Sequence, residues 1–223
     1  CDPPGATAAS SVTGVGFTAN WSPSVGAVDY RLDLATDLAF SSIVGSFNNF
    51  TVTGTSRVIG ALSPGTTYYY RLRAANTSGS SANSSVISVL TWPSAPVNND
   101  ATSIGSATFV ANWNSVPTAT GYKLDVSTSN TFSSFIPGYN DLSVSGTSTT
   151  VTVPTEGVTY YCRVRAVNGS GTSNASSNTI TTLLKPATPV ASAASSVSGT
   201  GFTANWAAAS GASGYTLEVS SDN

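Results

Sequence analysis

The feature that most constrains this chain is internal repetition. Tyr68–Asn76 reads YYYRLRAAN, and 92 residues later Tyr160–Asn168 reads YYCRVRAVN. A second motif recurs at steps of 92 and 93: GFTANW ends at Trp21, ATFVANW at Trp113 and GFTANW again at Trp206. Self-similarity at this period divides 223 residues into two full units and part of a third, so several small cores are expected in place of one large one. The expected boundaries are 1–92, 93–184 and 185–223.

Within each unit the apolar residues recur every second position, the mark of half-buried strands. Tyr68, Tyr70, Leu72 and Ala74 alternate with Tyr69, Arg71 and Arg73, as Tyr160, Cys162, Val164 and Ala166 alternate with Tyr161, Arg163 and Arg165. Phe17, Ala19 and Trp21 share one face of an earlier strand, and Tyr30, Leu32 and Leu34 share one face of the next, with Arg31 and Asp33 facing out. Tyr122, Leu124 and Val126 repeat this beside Lys123 and Asp125, and the third copy is Tyr215, Leu217 and Val219. The predicted structural core is therefore Trp21, Tyr30 and Tyr68, then Trp113, Tyr122 and Tyr160, then Trp206 and Tyr215. Asp33 and Asp125 are expected on exposed faces opposite the arginines, in ion pairs each worth less than about 1 kcal/mol.

The connecting stretch TDLAFSSIVGSFNNFTVTG is matched by TSNTFSSFIPGYNDLSVSG. Phe40 aligns with Phe132, Ile43 with Phe135 and Phe47 with Tyr139, marks too regular for an idle loop, so the stretch should pack across the sandwich edge. Ile59 and Val151 mark a further strand. At Leu62–Tyr68 a turn is followed by a tyrosine, the arrangement in which the hydroxyl bonds back to the turn backbone. Asn76–Ser80 and Asn168–Thr172 read as hairpin turns, with Asn76 and Asn168 suited to positive φ. The last strands lie near Ser85–Thr91 and Ser177–Thr182. Seven strands in about 90 residues predict an all-β, immunoglobulin-like sandwich per unit. Trp92–Pro96 and Leu183–Pro189 are short proline-bearing linkers, stiffer than Gly/Ser tethers.

With these motifs in place, each unit resembles a fibronectin type III domain: the second-strand tryptophan, the third-strand tyrosine and the Leu-x-Pro-Gly-Thr-x-Tyr corner at Leu62–Tyr68 are all present. The second unit departs at the corner, where Pro154 replaces Leu62 and Glu156 replaces Pro64, while Gly157 and Tyr160 remain. The family's integrin-binding Arg-Gly-Asp is absent from both hairpins. GFTANW, TDLAFSS and PGTTYYYRLRA are similar to repeats of secreted and surface proteins of Bacteroidota-like bacteria, which implies an extracellular or cell-surface location.

Composition narrows the chemistry. Only 8% of residues are charged, against the usual quarter, and the net charge is −2, so nothing suggests a nucleic-acid partner. There is no histidine, which removes a Ser-His-Asp relay and histidine metal ligation. No carboxylate pair shares a predicted cleft, so neither catalysis, a cofactor nor a metal is expected. No apolar run reaches the length of a spanning helix. Cys1 and Cys162 occupy non-equivalent places, and Cys162 should be a buried, inert thiol in place of Tyr70. At a mature N-terminus Cys1 would be the residue acylated in a bacterial lipoprotein. Of six Asn-x-Ser/Thr sequons, at Asn20, Asn49, Asn76, Asn83, Asn168 and Asn174, most arise from composition.

These readings point to a structural spacer, stalk or filament-forming segment, in the manner of an adhesin. Its partners would be other domains of the same longer chain or neighbouring copies in a polymer. The competing expectation is a glycan- or protein-binding module, or an accessory module of a carbohydrate-active enzyme, using Tyr69, Arg71, Tyr161 and Arg163 as its surface. The third unit, ending at Asn223, leaves two expectations open: the chain continues, or strands from a neighbouring molecule complete the sheet.

Overall fold

The computed structural model describes residues 1–176 and 178–221. Ser177, the expected start of a last strand, and the terminal Asn223 lie outside the described residues. No helix occurs among the described residues. By backbone proximity the chain divides into two compact units, Cys1–Pro96 with Ser115–Lys123 and Arg165–Ala175, and Val97–Asn114 with Leu124–Val164 and Ser176–Asn223.

The first repeat contains β1 (Ala6–Ser10), β2 (Phe17–Trp21), β3 (Asp29–Ala35), β4 (Phe50–Val52), β5 (Ser56–Ile59), β6 (Thr67–Asn76), β7 (Gly79–Ser80) and β8 (Ile87–Leu90). One sheet has the order β1-β2-β5; the other runs β4-β3-β6-β7, with β8 also on β6. Period-two patterning turns Phe17, Ala19 and Trp21 toward Tyr30, Leu32, Leu34, Tyr68, Tyr70 and Leu72, all buried. Trp21 meets Tyr30 edge-on at 5.6 Å and Phe17 stacks on Tyr70 at 6.0 Å. Burying each such side chain contributes about 1.5–3 kcal/mol, and the aromatic geometry adds to that.

The second repeat has β9 (Asn98–Thr102), β10 (Thr108–Trp113), β11 (Gly121–Ser127), β12 (Leu142–Val144), β13 (Ser148–Thr152), β14 (Thr159–Asn168), β15 (Gly171–Thr172) and β16 (Ile180–Leu183). Its sheets are β13-β10-β9 and β12-β11-β14-β15, with β16 on β14. Trp113, Tyr122 and Tyr160 are buried as expected, and Phe109 stacks on Tyr160 at 6.4 Å.

The final strand of each full repeat is split, and serines explain the gap. Ser81 N donates to Ala74 O and Ser81 Oγ accepts Ala74 N; Ser84 does the same with Leu72. Ser173 and Ser176 repeat this with Ala166 and Val164. A hydroxyl thus replaces the missing carbonyl at alternate rungs, and the ladder stays satisfied without a regular strand.

The third segment keeps only β17 (Ala191–Ser195) paired with β18 (Thr203–Trp206). Trp206 still packs on Tyr215, at 5.5 Å, but the two are 39% and 42% exposed, unlike their buried counterparts. The expected strand through Tyr215, Leu217 and Val219 is not formed. Among the described residues nothing stands there in the place of β6 or β14, and a strand without a ladder partner leaves its backbone groups to water.

Candidate functional site

The expected surface residues lie on the outer face of the larger sheet in each repeat. The register of β3 and β6 sets Asp33 opposite Arg71, with Arg31 opposite Arg73 and Tyr69 opposite Ala35. Asp33 is only 2% exposed, which corrects the expectation of an exposed, weak pair. Its Oδ2 accepts Arg71 Nε at 3.1 Å, Arg73 Nη2 reaches Oδ1 at 3.3 Å, and Oδ1 also accepts the Asn49 amide at 2.7 Å. Asp125, 0% exposed, accepts Arg163 Nε at 2.8 Å and the Asp141 amide at 2.7 Å. The cause of the burial is the connecting stretch, which folds over the carboxylate and hands it a backbone N–H.

That stretch is held under strain at matching places. Phe40 and Phe132 have φ of 58° and 54°, and Asn49 and Asp141 have 57° and 64°. A bulky residue in the left-handed region costs energy and persists only where its surroundings over-determine it. Here the compensation is visible: the Arg71 guanidinium lies 4.0 Å from the Phe40 ring centroid and that of Arg163 lies 4.4 Å from Phe132. Asp37 secures the start of the same loop by accepting the amides of Ser41 at 3.1 Å and Ser42 at 2.6 Å. The Ser41 amide bond holds its carboxyl below the usual value.

Tyr69 is half-buried between Ala35 of β3 and Ser88 of β8, and Tyr161 is half-buried opposite Thr181 of β16. The structure therefore places Tyr69 beside Arg71 and Tyr161 beside Arg163, but both arginines are committed to a carboxylate on one side and a phenyl ring on the other. The arrangement can stack a flat ligand on the tyrosines; it has no nucleophile paired to a base. No group of three or more acidic, cysteine or histidine side chains able to hold a metal occurs among the described residues.

The corners use a hydroxyl in two ways. Tyr68 OH accepts Ser63 N at 2.9 Å, whereas Tyr160 OH donates to Thr155 O at 2.9 Å, so the altered second corner keeps its bond by reversing donor and acceptor. Asn76 and Asn168 do not take positive φ. Their Oδ1 atoms instead accept Ser78 N and Ser170 N, each at 2.9 Å, closing the turn from the side chain. Cys162 is 0% exposed and burial pushes its thiol up to about 12; Cys1 is exposed and neither cysteine is bridged.

One role escaped the sequence reading. Asn20 Nδ2 donates to Ala8 O at 3.1 Å and Ser10 Oγ at 3.0 Å, stapling an irregularity in β1 between Thr7 and Ser10, just before Ser11 with φ of 50°. Asn112 does the same to Asp100 O and Thr102 Oγ1, and Asn205 to Ala193 O and Ser195 Oγ. The recurrence of the Asn in every copy of ANW was the available signal.

The fibronectin type III domain family matches residues 2–90 and again 94–182. Endoglucanase B of Cellulomonas fimi is 31% identical over 193 residues, which is 81% of this chain but only 18% of that enzyme's length. A two-domain fibronectin type III segment of chicken tenascin, 21% identical, aligns with 81% of this chain and 100% of its own at a TM-score of 0.44. With two consecutive matches covering most of its length, the chain belongs to the fibronectin type III domain family.

Proposed function

We propose that this chain is a structural spacer or stalk segment of a secreted or cell-surface protein. The observation that carries the reading is the fate of the charged outer face: Asp33 and Asp125 are buried under their own arginines and loops, so these carboxylates and their arginines are spent on holding each sandwich together. What remains outside is hydroxyl- and amide-rich surface of low charge. On this reading the repeats contribute reach between functional parts of a longer protein, and make no bonds themselves.

A second reading is favoured by the likeness to part of an endoglucanase. There the repeats serve as an accessory module of a carbohydrate-active enzyme, with Tyr69 and Tyr161 as stacking platforms for sugar rings. The two are separated by depletion from solution onto insoluble polysaccharides and immobilised glycans. The spacer reading expects the full chain to stay in the supernatant, unchanged by Tyr69→Ala with Tyr161→Ala. Retention that the double variant abolishes, with the fold intact by circular dichroism, overturns it in favour of the accessory module.

A further inference from the structure

The two full repeats differ in how their first strand is tied down. Asn98 opens β9 and is 4% exposed. Its backbone N–H donates to Asn178 Oδ1 at 2.9 Å, and its Nδ2 donates to Asn178 O at 2.7 Å and to Ser176 Oγ at 2.8 Å. Asn178 Nδ2 donates back to Asn98 O at 2.7 Å. Ser176 is in turn fixed to β14, its N donating to Val164 O at 2.8 Å and its Oγ accepting Val164 N at 3.2 Å. This clasp joins the first strand of one sheet to the segment leading into the last strand of the other. Asn98 Oδ1 is left buried without a partner, a cost that an apolar residue would avoid.

The direction of the joined segments follows from a second bond. Lys185 N donates to Gly105 O at 2.9 Å. Gly105 lies as far beyond Asn98 as Lys185 lies beyond Asn178, so the two segments run parallel and in step. The chain enters this repeat at the start of β9 and leaves past the end of β16. Tension applied through the ends therefore drags the two segments past each other along their length, and bonds crossing such a shear plane must break together, not one after another.

The first repeat lacks this chemistry. The place of Asn98 is taken by Ala6, whose side chain has no donor or acceptor, and that of Asn178 by Ser85, which lies as far before Trp92 as Asn178 lies before Lys185, although Ser84 stands where Ser176 does. Its β1 is tied to the facing sheet by the Tyr70 hydroxyl, which donates to Thr7 O, a bond that Cys162 cannot supply in the second repeat. Each repeat also closes its exit end with one backbone bond, Trp92 N to Thr13 O at 3.1 Å in the first, matching Lys185 to Gly105. The difference is thus one phenol bond against a reciprocal asparagine clasp.

From this we infer that the second repeat is the mechanically strong member of the pair, with Asn98, Asn178 and Ser176 as a shear clasp, and that the first repeat yields earlier and limits the tension passed along. The inference rests on the reading of the array as a spacer under load. Single-molecule stretching of the full chain, held through the exposed Cys1 thiol and a C-terminal tag, tests it. Two unfolding events of similar length gain, roughly 300 Å each for about 90 residues, are expected at two separate forces. Asn98→Ala with Asn178→Ser, which installs the first repeat's residues, should bring the higher force down to the range of the lower; Tyr70→Phe should reduce only the lower. If the double variant prevents its repeat from folding, loss of the higher event upholds the assignment and loss of the lower one overturns it. Equal forces in the parent chain, or an unmoved higher force in the double variant, also overturn it. Glycan retention would remove the spacer reading and leave these forces where they are, while equal forces without retention remove the clasp and leave the spacer.

Discussion

Asp33→Ala is the perturbation for which the burial of this carboxylate predicts most. The side chain is 2% exposed and serves three donors: Arg71 Nε, Arg73 Nη2 and the Asn49 amide. Breaking a fully buried pair from one side costs about 3–5 kcal/mol. Arg71 and Arg73 keep 29% and 30% side-chain exposure and can turn toward water, which lowers that figure. The Asn49 amide loses its carboxylate acceptor as well, a loss of about 1–3 kcal/mol if the amide is left without a partner. Together these give a loss of roughly 2–4 kcal/mol in the first repeat. For a domain of this size that is a fall in melting temperature of about 4–8 °C per kcal/mol. Asp33→Asn keeps an acceptor for Asn49 and loses only the charge, so it should cost about half as much. Urea unfolding followed by tryptophan fluorescence reads both. Because the carboxylate is shielded from solvent, most of the difference should persist in 1 M salt, where exposed charges are screened within about 3 Å. A loss below about 0.5 kcal/mol for Asp33→Ala, or one that vanishes in high salt, would show an ordinary surface pair and refute the reasoning.

Other outcomes follow from the same contacts. Asn112→Ala removes the staple across β9 and β10 and should cost the second repeat about 1–2 kcal/mol, read as a lower melting transition; Asn20→Ala should do the same to the first. A thiol reagent should label Cys1 at once and Cys162 only on unfolding. Burial raises the Cys162 thiol from 9.0 to about 12, so the folded state holds a proton that the unfolded state releases. Its contribution is intact below pH 9 and is lost as the pH rises, with stability falling by about 1.4 kcal/mol per pH unit until the folded thiol itself titrates. Cys162→Ala should flatten that slope in a pH series of urea curves.

Much of the fold was legible because period and alternation speak directly about burial: Trp21, Trp113, Tyr68 and Tyr160 lie where the pattern puts them. The polar positions were read less well. Asp33 and Asp125 alternate with apolar neighbours as exposed residues do, and nothing in β3 or β11 tells that the following loop will close over them. The clue lay at Phe40 and Asn49, whose repetition at Phe132 and Asp141 marked a shaped loop, but positive φ in a phenylalanine has no sequence signature. Asn98 and Asn178 were invisible for a different reason: they are the places where the second repeat departs from the first, and a reading built on similarity passes over differences. The third segment shows the converse, since Tyr215, Leu217 and Val219 carry the strand pattern without forming a strand. Patterning needs a partner to become structure.

The most direct test of the account is an NMR titration that follows the Nε–H groups of Arg71 and Arg163, the two guanidiniums assigned here to internal duty. In the full chain both resonances should be slowed in exchange with water by their bonds to Asp33 and Asp125. They should stay fixed in position while neutral and sulfated oligosaccharides are added to saturation. Rapid exchange, or shifts that track added oligosaccharide, would mean that these side chains are free to engage a ligand, and the spacer account would be contradicted.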